Sequence, residues 1–119
     1  MSTGPNHRLT LDQLAGDLRE ARKRAEQAIE GMEDGGTANL DHLVLRTGKG
    51  SPIVRKSENL LEAIVDGGGQ LGSKIGTSYR LSLEIDGVGQ GATNTVAMET
   101  AATYLQDRGW PVSVRYLAD

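Results

Sequence analysis

The chain contains no cysteine and no phenylalanine, and only one tryptophan, three tyrosines and three prolines among its 119 residues. Without cysteine there is no disulfide framework and no thiolate metal site, which fits a cytoplasmic setting. With so few aromatics, a core has to be built from Leu, Val, Ile and Ala, and such a core is thin for a single domain. A thin core beside an apolar helix stripe predicts that a second copy supplies part of the stability. A basic excess is also lacking, since 13 Lys and Arg stand against 16 Asp and Glu. That balance argues against a general nucleic-acid binder. No apolar run reaches the ~18 residues of a membrane span, and the opening MSTGPNHRLT has no apolar signal segment, so neither insertion nor export is expected. The two histidines are scattered, His7 in the polar lead and His42 alone in a strand candidate. Neither a metal cluster nor a Ser-His-acid arrangement can be assembled from them, so no catalytic residue, metal or cofactor is expected.

What is present is concentrated between Tyr79 and Tyr116. Tyr79, Leu81, Leu83 and Ile85 alternate with Arg80, Ser82, Glu84 and Asp86, the period of a strand with one buried face. Gly87-Val88-Gly89-Gln90-Gly91-Ala92-Thr93-Asn94 follows and opens a helix over 94–108, which Gly109 stops before a last strand over 112–117. Three glycines leave backbone amides bare just where a helix has unpartnered N–H groups, so the loop is a candidate anion site. Gly87, Gly89, Gln90, Gly91, Thr93 and Asn94 are its members, with Asn94 offering an outward amide; a larger residue at Gly91 is expected to crowd the loop and weaken ligand binding, while leaving the fold intact if the loop is exposed.

Upstream, a polar lead over 1–9 is expected to be disordered, and Thr10 with Gln13 forms a capping box. Leu11, Leu14, Leu18, Ala21, Ala25, Ala28 and Met32 alternate spacings of three and four, a heptad seam on a helix over 10–34. That seam is open to two readings, a face packed on its own domain or a surface for self-association or another protein. A strand over 37–46 leads into the turn Thr47-Gly48-Lys49-Gly50-Ser51-Pro52, which lacks the glycine and Ser/Thr positions of a phosphate loop. Ser57 caps a short helix through Val65, and five glycines within 67–76 predict a mobile loop. The expected fold is α+β, a small sheet of three to five strands with helices on one face plus the N-terminal amphipathic helix, in one domain over 10–119 with a core over 36–119.

Other chemistry is thinner. Gly87, Gly89 and Ala92 match a dinucleotide fingerprint, but the preceding strand is half polar and no further βα units follow. Asp41 and Glu84 would approach only if their strands pair. Cations are more promising: Arg46, Lys49, Arg55 and Lys56 lie close together, while Arg80, Arg108 and Arg115 flank the glycine loop. Arginine forks suit phosphate oxygens, which places Arg46, Lys49, Arg55, Arg108 and Arg115 in the candidate ligand site.

Gly36-Thr37-Ala38-Asn39-Leu40-Asp41, together with Gly89-Gln90-Gly91, Thr93-Asn94 and the closing Tyr116 to Asp119, resembles small phage-encoded sponge proteins that antagonise Thoeris defence and, in some members, CBASS. Leu40 departs from that pattern, which has an aromatic there. The resemblance implies a homo-oligomer that sequesters cyclised ADP-ribose or a cyclic oligonucleotide without cleaving it. It adds Asn39, Asp41 and Tyr116 to the ligand site and leaves Tyr79, Tyr104, Trp110 or Tyr116 to stack a base. The competing function is a protein-binding adaptor or inhibitor acting through the N-terminal helix.

Overall fold

The structure is a computed structural model that describes residues 9–117. Helix α1 (Leu11–Ile29) leads into strand β1 (His42–Arg46), helix α2 (Glu58–Asp66), the hairpin β2 (Gly69–Ile75) and β3 (Ser78–Leu83), helix α3 (Ala92–Asp107) and strand β4 (Val112–Arg115). The strands form one antiparallel sheet in the order β2-β3-β1-β4. The architecture is thus α+β, with α1 packed against the rest.

The capping box forms as the sequence predicts: the Thr10 hydroxyl accepts from the Gln13 amide, and the Gln13 side chain accepts from the Thr10 amide. The heptad does not persist along α1. Its buried residues include Leu14, Leu18, Ala21, Ala25 and Ile29, whereas Ala28 and Met32 face solvent. Spacings of four, three, four and four follow the 3.6-residue turn of a straight helix packed inside its own domain. Ala21 and Ala25 on α1 and Ala97 and Ala101 on α3 are all fully covered, and side chains this small let two packed helices approach closely. The apolar face that the sequence left open to self-association is therefore used within the protomer.

Leu43, Leu45, Tyr79, Leu81 and Val112 alternate onto the helix-covered face of the sheet. Trp110 closes one end of the core, and its indole N–H donates to buried Asp17, which also accepts from Arg108, tying α1 to the exit of α3.

The glycine-rich segment over 67–76 is not a loop. Seven of its residues form β2, paired with β3 except at an irregularity between Leu71 and Lys74. Gly67 and Gly69 answer to close packing. A Cβ on Gly67 would stand 2.6 Å from Leu18, and one on Gly69 would stand 2.9 Å from the Ser82 carbonyl. The segment over 37–46 is strand only from His42, because its first half is bound elsewhere in the molecule.

Candidate functional site: the glycine loop and the open face of the sheet

The glycine loop does hold an anion, and the anion belongs to the chain. Asp34, in the exposed strap between α1 and β1, accepts hydrogen bonds from the amides of Gln90, Gly91 and Thr93 at 3.0–3.3 Å and from the Thr93 hydroxyl at 2.7 Å. The Thr93 hydroxyl bond, followed by the backbone amides, holds the Asp34 carboxyl below its ordinary range. Gly35 adds a carbonyl that accepts from the Ala92 amide. The glycines can then be explained one at a time. Gly87 has φ of +83°, a left-handed turn position, while a Cβ on Gly89 would meet Asp34 Oδ2 at 2.0 Å and one on Gly91 would meet the Gly35 carbonyl at 2.5 Å. The loop is shaped to receive its own strap.

Asn39, Asp41 and Asn94 serve the same fastening. Asn39 donates to the Gly91 carbonyl and to Thr95, and its own carbonyl accepts from the Asp41 amide and from Asn94. Asn94 therefore points inward, to Asn39 and the Asp41 carbonyl, rather than outward. The Asp41 carboxylate accepts from Thr95 and from the Leu117 amide, so it draws the strap, α3 and the chain beyond β4 together and does not face Glu84. Leu40 pairs its amide with the Leu117 carbonyl at 2.8 Å. His42 holds the Leu40 carbonyl through Nδ1. Buried side-chain nitrogens and oxygens among the described residues all have partners.

The remaining predicted residues disperse. Arg108 is paired with Asp17, and the Tyr116 hydroxyl donates to Glu99, which raises the Tyr116 pKa. Lys49 and Arg55 stand exposed in the β1–α2 loop. Tyr79 and Trp110 are core residues, and Tyr104 carries the Arg24 guanidinium 4.4 Å above its ring.

Arg46 and Arg115 are brought to one surface, together with Arg80. The face of the sheet away from the helices is set by register: Val44 lies opposite Arg80 on one side and Ser113 on the other, His42 opposite Arg115, and Arg46 opposite Ser78, which in turn faces Ile75. Neighbouring strands are ~4.8 Å apart, and alternate residues along a strand are ~6.6 Å apart. Arg80, Arg46 and Arg115 therefore surround Val44, with α-carbons roughly 5–8 Å from it. Val44, Ile75, Ser78, Arg80, Ser113 and Arg115 line a shallow depression of about 340 Å³. None of the four strands contains an Asp or Glu, although the chain has 16. The ion pairs among the described residues are Arg24–Glu20 and Arg108–Asp17, so none of these three arginines has a carboxylate partner there.

Arg80, Val44, Ile75 and Ser113 were not among the sequence-derived site residues. The alternation of Arg80 with Tyr79 and Leu81 already puts it opposite the core, but nothing in the sequence tells which strands lie beside it. No metal-binding group of three or more His, Asp or Glu is found among the described residues, and no described helix is long and apolar enough to cross a membrane. Compared with family models, curated proteins and solved structures, the chain matches none of them.

Proposed function

We propose that the protein is a non-catalytic receptor that captures and sequesters a small phosphorylated ligand of the cyclic-nucleotide type, and that it does so on the open face of the sheet. The observation that carries this reading is the segregation of charge. In a chain of net charge −3, the four strands hold Arg46, Lys74, Arg80 and Arg115 and no acid. Three like charges on one face repel each other and repay that cost only when an anion arrives. Guanidinium forks suit phosphate oxygens in particular. The ligand class follows the likeness of the strap and loop residues to sponges of cyclic immune signals, and a cytoplasmic setting accords with a cysteine-free chain. The strap residues Asn39 and Asp41 and the α3 residues Thr93 and Asn94 hold the scaffold in this reading, and the arginines touch the ligand.

A role as protein adaptor through α1 has less to rest on, since its apolar stripe is buried and only its charged side is available. A thermal-shift screen against cyclic dinucleotides, cyclic trinucleotides and cyclised ADP-ribose tests the proposal. One of these should raise the melting temperature in proportion to the logarithm of its concentration and be recovered chemically intact. Arg80→Ala and Arg115→Ala should each weaken binding by roughly 1.5–3 kcal/mol, the range for hydrogen bonds to charged groups. A ligand that stabilises both variants as well as it does the parent chain would remove the open face from consideration.

A further inference from the structure

We infer that the outer edge of β4 takes up an extended peptide segment of alternating apolar and acidic residues as a fifth strand, held by the backbone groups of Val114 and Tyr116 and by the Arg115 side chain. This does not depend on the capture reading, with which it shares only Arg115, since Arg46 and Arg80 lie on β1 and β3, away from this edge.

β4 has a neighbour on one side only, β1. The Arg46 amide donates to the Pro111 carbonyl and the Leu40 amide to the Leu117 carbonyl, and Ser113 and Arg115 fall between these points in the same register, opposite Val44 and His42. These alternate residues turn their backbone groups to β1, so Val112, Val114 and Tyr116 turn theirs outward. Val112 is satisfied within the chain, its N–H by the Trp110 carbonyl at 2.9 Å and its carbonyl by the Gln106 side chain at 2.8 Å. Among the described residues nothing meets the backbone N–H and C=O groups of Val114 or Tyr116. The edge is thus closed where β4 begins and open where it ends. Sheet edges are commonly blunted by lysine, proline or an irregular register. The β2 edge has Lys74 and an irregularity, whereas residues 113–116 have none of the three.

The two sides of the open edge ask for different side chains. On the helix side, Ala102, Thr103 and Gln106 of α3 stand with Val114 around a depression of about 470 Å³ that Glu99 also lines. On the other side Arg115 has no carboxylate partner among the described residues. An added strand sends alternate side chains to these two environments. An acid on the helix side would meet Glu99, whereas an acid on the open side would lie opposite Arg115. In antiparallel register the residues opposite Val114 and Tyr116 are therefore apolar, and the one between them is Asp or Glu. Main-chain bonds supply the affinity of such a strand, and the alternate side chains select the partner. A second copy of this chain is a poorer occupant. A two-fold pairing that uses these four backbone groups and no others joins Val114 of one copy to Tyr116 of the other, which sets the two Arg115 residues directly opposite, with α-carbons ~4.5 Å apart. Like charges so placed are destabilising.

Amide hydrogen exchange of the full chain, read by NMR with and without a capped Thr-Val-Glu-Val-Thr peptide, tests the inference. In the free protein the Val114 and Tyr116 amides should exchange faster than those of Ser113 and Arg115, which face β1, and saturating peptide should slow them at least tenfold. N-methylation of the two peptide valines should remove that protection and weaken binding at least tenfold. Lysine in place of the peptide glutamate should weaken binding about two- to fivefold, the range of a cross-strand charge pair. Arg115→Glu should invert this preference, and its gain of affinity for the lysine peptide shows that the variant is folded. An N-methylated peptide that binds as well as its parent reduces the contact to charge and overturns strand addition. Amides of Val114 and Tyr116 that stay fast at every peptide concentration overturn it equally. Protection of these two amides that grows with protein concentration in the absence of peptide would give the edge to a second copy and overturn the peptide as its occupant.

Discussion

Asp34 decides what the glycine loop is for. Its carboxylate accepts from three backbone amides and one hydroxyl, and these bonds depress its pKa below the ordinary 3.8. A depressed carboxyl contributes stability that is fully present above the ordinary value and disappears as pH falls through the lower, folded-state value. Melting curves of the parent chain and of Asp34→Asn should accordingly be separated at pH 5–7, with the variant less stable, and should converge below about pH 3.8. Parallel curves down to pH 2 would mean that the carboxylate does not fasten the strap. Gly91 offers an independent check. A side chain there would press on the Gly35 carbonyl, part of a strap fixed on both sides, so Gly91→Val should destabilise the fold by about 1–3 kcal/mol. A variant with unaltered denaturant midpoint would restore the exposed, tolerant loop that the sequence suggests and this packing denies.

At the scale of elements, α1 sets the thickness of the molecule. It packs against both α2 and α3, and its Leu18 is fully buried. Leu18→Ala should therefore cost about 2–5 kcal/mol, read from urea unfolding with unchanged m. Met32→Lys is the informative counterpart. If the heptad continued into a partner helix, a lysine at Met32 would disrupt it. Because Met32 is exposed, the substitution should alter stability by less than about 0.5 kcal/mol and leave the sedimentation coefficient where it was. A large change in either would return the end of α1 to an interface. The other edge of this scale is β2, whose seven residues are mostly exposed and whose pairing with β3 is interrupted. An irregular, lysine-bearing edge of this kind resists pairing with further strands.

For the molecule as a whole, the uneven distribution of charge has a consequence that needs no ligand. Two unit charges ~10 Å apart in water repel by about 0.4 kcal/mol, and salt with a Debye length near that distance screens them. Arg80→Gln should thus raise the stability of the ligand-free protein by roughly 0.5 kcal/mol at low ionic strength, with the gain vanishing at high salt. Differential scanning calorimetry at two salt concentrations reads this directly. If Arg80→Gln is destabilising at both, Arg80 supports the sheet and is not a charge held in reserve for an anion. A gain in stability that accompanies loss of ligand affinity is the usual sign of a residue retained for binding.

Local regularities were legible in the sequence because the residues that produce them are neighbours. Thr10 and Gln13 lie three apart and cap α1, Ser57 caps α2 through the Leu60 amide, and the alternation from Tyr79 to Leu83 becomes β3. The α+β class follows from the same short-range patterns. An anion site in the glycine loop was legible too, since amides bared by glycine at a helix start favour an oxyanion whatever its source. The source was not legible. Asp34 is 57 residues from Gly91, and no local rule says which distant carboxylate arrives. For the same reason the seven residues of β2 read as a loop, because glycines required by contact with Leu18 and Ser82 look in sequence like glycines that confer freedom. The ring of Arg46, Arg80 and Arg115 around Val44 exists only because β1 lies between β3 and β4. Strand order is fixed by long-range packing and loop closure, which act between residues that the sequence keeps apart.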